Sequence, residues 1–272
     1  MVYAMAVPQI ELTETSKEKP LGIDVSANQA YRDATGKIIL KHMDWNKVAA
    51  HKPAVMFAGI RAGISWQYVD PAFAYNRAEC KRLGIPQTAY HVFYPNEDPI
   101  LQAQHFVNVM GTDFGEIPPT ADVELGEYGH KCTPAQYQKA LLAYLVEIEL
   151  LTKRRPLIYS RANFINYYVT GSGTPPSWLN EYDWWLAQYL SSGAEHQGPP
   201  ALPVGVDRER CIIQQTSDRG PGKTEYGTMS ASIDLNRWQL SQSALSAFLY
   251  GTDVVELTLE EKVDALWKEV FG

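Results

Sequence analysis

The sequence predicts an α/β fold, an irregular TIM-like (β/α)5(β)3 barrel, and three observations carry that expectation. Short apolar runs alternate with longer segments of helical period through the first 160 residues, the rhythm of a parallel sheet with crossover helices. Beyond residue 160 the strands continue, but Gly, Pro and Ser fill the connections in place of helical periodicity. Polar residues stand at the carboxyl ends of the apolar runs, where an α/β barrel opens its reactive face. With 272 residues, 45% of them hydrophobic and 20% charged, the chain has material for one large core.

In chain order, residues 1–19 are polar and aperiodic and read as a tail, residues 20–250 as the barrel, and residues 251–272 as a short C-terminal amphipathic helix. Leu21-Gly22-Ile23-Asp24-Val25-Ser26 is a buried strand closing on a polar end. Further strands are expected at Val55 to Ala62, Gln87 to Tyr94, Pro119 to Leu125, Pro156 to Ser160, Trp184 to Tyr189, Cys211 to Thr216 and Ile233 to Trp238. A helix from Pro71 to Leu83 stops at Gly84, a residue suited to the left-handed cap. The strongest helix opens on Thr133-Pro134-Ala135-Gln136, a capping box with Pro at the first turn. Its stripe of Tyr137, Leu141, Tyr144, Leu145, Ile148 and Leu151 faces a core. Residues 191–205 and 218–231 read as long loops. In the tail, Thr258-Leu259-Glu260-Glu261 is a second capping box, and Leu259, Val263, Leu266 and Val270 make an apolar seam too short to assert a coiled coil.

Composition removes several function classes. A formal net charge of −7 argues against nucleic acid, whose binding rests on clustered Lys and Arg releasing counterions. An acidic chain acting on an anionic polymer must rely on local contacts, because long-range attraction is screened. The three cysteines, Cys80, Cys132 and Cys211, are widely separated and read as structural thiols. No stretch reaches transmembrane length, so no membrane insertion is expected, and the first residues lack a signal peptide's pattern. A substrate outside the membrane would then require holin-type lysis or another non-classical export route. Monomer is the default oligomeric state.

The polar residues at strand ends are Asp24, Arg61, Tyr90, Asp122, Glu124, Tyr159, Gln188, Gln215 and Asp234. Any one of them more often serves structural hydrogen bonding, but the barrel brings the set together. Asp122-Val123-Glu124 places two carboxyls on one face of a strand, roughly 6 to 7 Å apart along the backbone. Such a pair resists double ionisation, so one member is held protonated near neutral pH. Glycoside cleavage needs that asymmetry, an acid for the leaving oxygen and a carboxylate for the sugar. The same D-x-E pattern also suits a hard cation, with Asp24, Asp122, Glu124 and Asp234 as oxygen ligands of a metal-dependent hydrolase. Trp66, Tyr68, Tyr90, Tyr94, Trp184, Trp185 and Tyr189 lie at or beyond strand ends, where aromatic planes pack on sugar faces, although aromatics also fill cores. Strand alternation divides Trp184 from Trp185, one inward and one outward, and turns His91 toward the helices.

Six motifs in order then resemble glycoside hydrolase family 25, the Chalaropsis-type lysozymes also common as phage endolysins. They are Gly22-Ile23-Asp24-Val25-Ser26 with Gln29, Tyr90-His91-Val92-Phe93, Asp122-Val123-Glu124, Pro156-Leu157-Ile158-Tyr159, Trp185-Leu186-Ala187-Gln188-Tyr189 and Ile233-Asp234-Leu235-Asn236. The resemblance spans about residues 21 to 240 and implies an N-acetylmuramidase that cleaves the β-1,4 bond between N-acetylmuramic acid and N-acetylglucosamine in peptidoglycan glycan strands, with no cofactor and no metal. It implies Glu124 as general acid, Asp122 as stabiliser of developing positive charge or of an acetamido-derived intermediate, and Asp24 and Asp234 as supporting acids. Tyr90, Tyr94, Tyr159, Trp185, Gln188, Gln215 and Arg61 are the expected substrate-binding residues. Where many members of the family read Tyr-His-Phe, this chain reads Tyr90-His91-Val92-Phe93-Tyr94-Pro95, so the resemblance does not fix the shape of the subsite near Tyr94. The competing reading is a catalytically silent cell-wall-binding barrel within a phage or secretion assembly.

Overall fold

The computed structural model describes residues 19–29, 42–124, 132–240 and 242–250. Residues 1–18 and 251–272 lie outside the described residues, and with them the N-terminal tail and the amphipathic C-terminal helix.

Eight strands close into a barrel. They are β1 (Leu21–Val25), β2 (Val55–Ile64), β4 (Gln87–Val92), β5 (Thr120–Asp122), β6 (Leu157–Ser160), β7 (Trp184–Ala187), β8 (Cys211–Gly220) and β9 (Ile233–Trp238), with closure between β1 and β2. A ninth strand, β3 (Tyr68–Val69), pairs antiparallel with the end of β2 as a short hairpin. The strands from β1 through β8 run parallel around the barrel. The last strand does not: β9 is antiparallel to both β8 and β1. No helical crossover separates β8 from β9, so the chain turns back at the carboxyl face and descends. That reversal puts the first residues of β9, not its last, at the reactive end.

Helices α1 (Trp45–Ala50), α2 (Phe73–Leu83), α3 (Pro99–Met110) and α4 (Pro134–Thr152), with the helical segment 162–170, give the five β/α units that the sequence predicts. Their ends follow local rules. Asp98 caps α3 by accepting from the amides of Ile100 and Leu101, with Pro99 at the first position, and α4 has both bonds of the Thr133/Gln136 capping box. Gly84 ends α2 at φ 66°, in the left-handed region where a side chain is disfavoured. The expected strand after Pro119 is shorter than read, because regular pairing stops at Asp122. The Cys211 strand is longer, reaching Gly220.

Strand alternation divides the core into two layers. Leu21, Ile23, Ala58, Ile60, Ala121, Ile158, Trp184 and Leu186 face outward into the helices, where they meet Phe106, Tyr144 and Ile148. Phe57, Leu157, Trp185, Ile213 and Trp238 fill the barrel interior and plug its lower end. Trp184 and Trp185 are therefore divided between the layers as expected. His91 also faces the helices: fully buried, it lies 2.9 Å from the Tyr144 hydroxyl through Nδ1 and stacks on Phe106. Burial holds its pKa down at about 3, so it is a neutral packing residue. Cys80, Cys132 and Cys211 are free thiols, two of them buried.

Candidate active site

At the carboxyl end of the barrel a cavity of about 360 Å³ opens above the Trp185 plug. Ten of the eleven residues expected there line it: Asp24, Arg61, Tyr90, Tyr94, Asp122, Glu124, Tyr159, Trp185, Gln215 and Asp234. The eleventh, Gln188, lies elsewhere. Its Oε1 accepts from the Ala201 amide at 2.6 Å and its Nε2 meets His196 at 2.9 Å, so it holds the following loop and borders an adjoining hollow. The reason is parity. Trp185 and Ala187 face inward, which turns residue 188 to the other side of β7.

The floor is built around Asp24. Its Oδ2 accepts from Gln215 Nε2 at 2.9 Å and from Asn236 Nδ2 at 2.8 Å, and the carboxyl is also hydrogen-bonded to Asp234, its direct partner in the β1–β9 register. Gln215 in turn accepts from the Tyr159 hydroxyl at 2.8 Å, and Asn236 accepts from the Trp185 indole at 2.8 Å. Burial raises the Asp24 carboxyl, but the two fixed amide donors and Asp234 oppose that rise, so of the facing pair Asp24 bears the negative charge. Asp234 keeps the proton: burial, then the Asp24 charge and the bond to it, push its carboxyl up to about 9. Trp185 is only 2% exposed; with its indole committed to Asn236 and its ring edge-on to Tyr90 and Tyr159, it serves as floor. Glycine at position 59 makes room for it, since a Cβ there would lie 2.4 Å from the Trp185 ring.

The wall carries the D-x-E pair. Asp122, at the end of β5, is buried, and its Oδ1 has no hydrogen-bond partner among the described residues. Burial first, then the Glu124 charge, raise its pKa well above the ordinary carboxylate value. Glu124, two residues on, is the exposed member and opens into the cavity. The surrounding walls still displace enough of its hydration to raise its pKa, with the Arg161 guanidinium opposing and Asp24 adding to the rise. Arg61 is anchored from below: its Nε donates to Asp70 at 2.7 Å, and that carboxyl also receives the amides of Ala27 and Ala72. A register shift between Arg61 and Gly63 flips parity there, so Ile64 follows Arg61 into the cavity.

Sequence reading missed three participants. Asn236 shares a face with Asp234 at i+2, and Arg161 stands in the same relation to Tyr159, so alternation could have found both. Asp70 shows no such signal, because it lies beyond the β3 hairpin and its role depends on where that hairpin folds back. Among the described residues no group of three or more His, Cys, Asp or Glu is arranged to hold a metal ion.

The family model for glycosyl hydrolases family 25 matches residues 23–219, from within β1 to the last residues of β8. The chain belongs to that family. This family 25 protein is a glycoside hydrolase of the muramidase type, and its solved neighbours share its barrel. A bacterial lysozyme from Streptomyces coelicolor superposes with a TM-score of 0.67 at 23% identity, over 86% of this chain and 99% of that one. The Clostridium perfringens spore cortex lytic enzyme SleM gives a TM-score of 0.64 at 25% identity, over 83% and 69%. In sequence, an uncharacterized protein, YegX, of Escherichia coli O6:H1 is 31% identical over 233 residues, 85% of this chain and 73% of the relative. No helix among the described residues of the family 25 chain is long and apolar enough to cross a membrane.

Proposed function

We propose that this family 25 hydrolase cleaves the β-1,4 bond between N-acetylmuramic acid and N-acetylglucosamine in peptidoglycan, with Glu124 as the general acid and Asp122 as the partner of the substrate's acetamido group. The observation that carries the assignment is the contrast within the pair. Glu124 opens into the cavity, whereas Asp122 is buried with an unsatisfied carboxyl oxygen.

The chemistry follows from that contrast. Protonated Glu124 donates to the glycosidic oxygen as the bond to the anomeric carbon breaks, and the acetamido carbonyl oxygen of the same sugar closes onto that carbon. With Glu124 protonated, the charge that helps raise Asp122 is absent, and the oxazolinium carries its positive charge on an N–H beside the Asp122 carboxylate, whose unpartnered oxygen accepts it; a buried acceptor without a donor is costly until such a group arrives. Glu124, now ionised, takes a proton from water as the water opens the ring, restoring the acid and retaining the anomeric configuration. Substrate-assisted hydrolases of this kind stand outside the carboxylate-distance rule. Asp24 and Asp234 hold the floor beneath this pair, and their single shared charge helps keep Glu124 protonated toward neutral pH. Tyr90 and Tyr94 offer ring surface along the wall. The substrate is the cell-wall glycan, and the protein acts as a monomer.

The test is Glu124→Gln against purified peptidoglycan, with released fragments identified by reduction and mass spectrometry. Fragments ending in reducing N-acetylmuramic acid are expected from the unmodified protein alone, at an unchanged melting temperature. Full activity in the variant would overturn the assignment; binding without any cleavage by the unmodified protein would favour a silent barrel.

A further inference from the structure

The cavity wall is acidic, with Asp24, Asp122, Glu124, Asp218 and Asp234 all lining it, and the chain's net charge is −7. An anionic glycan entering such a site meets like charge, so its carboxylates need a cation where they come to rest. Two arginines border the cavity. Arg61 is already paired with Asp70 at 2.7 Å and is largely enclosed. Arg161 differs on each point. It is exposed, immediately follows β6, and carries its guanidinium over the Tyr189 ring at 4.7 Å. Among the described residues no carboxylate lies within ion-pair distance of it. It also borders three hollows: the central cavity, the hollow beside Gln188 and the one beside Tyr167. The Tyr189 ring beneath it holds the guanidinium at the cavity edge, and its N–H groups remain available to bind a carboxylate through paired hydrogen bonds.

We propose that Arg161 is a specificity-determining residue that binds a carboxylate carried by the muramoyl residue, and so selects muramoyl glycan over neutral glycan of the same linkage. This rests on the muramidase reading above. Two sources supply that chemistry, the lactyl carboxylate of a peptide-free sugar and a carboxylate of an attached stem peptide. The same contact couples recognition to catalysis. Arg161 favours the ionised form of Glu124 in the free enzyme, and a carboxylate seated on Arg161 cancels that influence, so the acid is held protonated once the correct sugar is bound.

The experiment compares the full-length protein with Arg161→Gln and Arg161→Lys on three substrates: peptide-free glycan strands, the same strands with the lactyl carboxylate converted to a methylamide, and strands retaining their peptides. Because hydrogen bonds to charged groups are the strong ones, Arg161→Gln should lower kcat/KM on carboxylate-bearing strands about ten- to a hundredfold, chiefly through KM, and far less on the methylamide; Arg161→Lys should recover part of the loss. The alkaline limb of kcat/KM, which reports the free enzyme, should move to higher pH in Arg161→Gln. A loss on peptide-free strands assigns the lactyl carboxylate, and a loss confined to peptide-bearing strands assigns the stem. Equal losses on all three substrates, or none, would overturn the role of Arg161 while leaving the muramidase intact. Failure of the unmodified protein to cleave any strand would overturn the muramidase reading and this inference with it.

Discussion

Replacing Asp234 with Asn tests the charge state of the barrel floor. In the folded protein the Asp234 carboxyl titrates at about 9, against an ordinary value of 3.8. Between those two values the folded chain holds a proton that the unfolded chain releases. Stability contributed by the protonated group is therefore complete below the ordinary value and declines as pH rises toward 9. The slope for one proton is about 1.36 kcal/mol per pH unit, so going from pH 5 to pH 8 removes at most about 4 kcal/mol. At roughly 2–4 °C per kcal/mol for domains approaching this size, that is a fall in Tm of up to about 8–16 °C. Asn at position 234 can still donate to Asp24 and has nothing to titrate, so this component of the slope disappears. Thermal melts of both proteins at half-unit steps from pH 5 to 8 should diverge, with the variant the more stable at the alkaline end. Parallel curves would refute the argument, showing that Asp234 ionises normally and that Asp24 is not the member bearing the charge.

Two further substitutions separate shape from chemistry. In Gly59→Ala the new Cβ would lie 2.4 Å from the Trp185 ring and 3.1 Å from the Asp24 Cβ, so overpacking should cost about 1–3 kcal/mol and displace the floor; kcat should fall together with Tm, and unchanged values of both would show that the floor gives way freely. Thr133→Ala removes one bond of the α4 capping box at a residue that does not line the cavity, and should cost about 1 kcal/mol, read as a lower Tm at unaltered kcat.

How much of this was legible in the sequence depends on which rule each residue obeys. Asp24, Tyr90, Asp122 and Tyr159 were readable because they are inward positions near the ends of parallel strands, where period-two alternation and the barrel's open face act together. Gln188 shows what happens when the second signal is used without the first: it stands just past the end of β7 but has the wrong parity, and the hydrogen bonds to Ala201 and His196 show what it does instead. Arg161 is the converse case, a residue of correct parity that lies one position past the strand expected to end at Ser160. The Asp24–Asp234 contact was beyond such rules altogether. It exists because β9 runs antiparallel and sets Asp234 directly opposite Asp24, and strand direction is fixed by how the 218–231 segment turns, not by the pattern within the strand. Yet that contact adds to burial in setting the charge of the site. Two carboxyls in register must share one negative charge, and the shared charge is among those that raise Glu124. The hydrogen bond from Asp234 is one of the contacts that keep Asp24 ionised, so a change in β9 that moved Asp234 out of register should raise the Asp24 pKa, weaken the charge that helps hold Glu124 protonated, and lower the alkaline limit of activity even with Glu124 and Asp122 untouched.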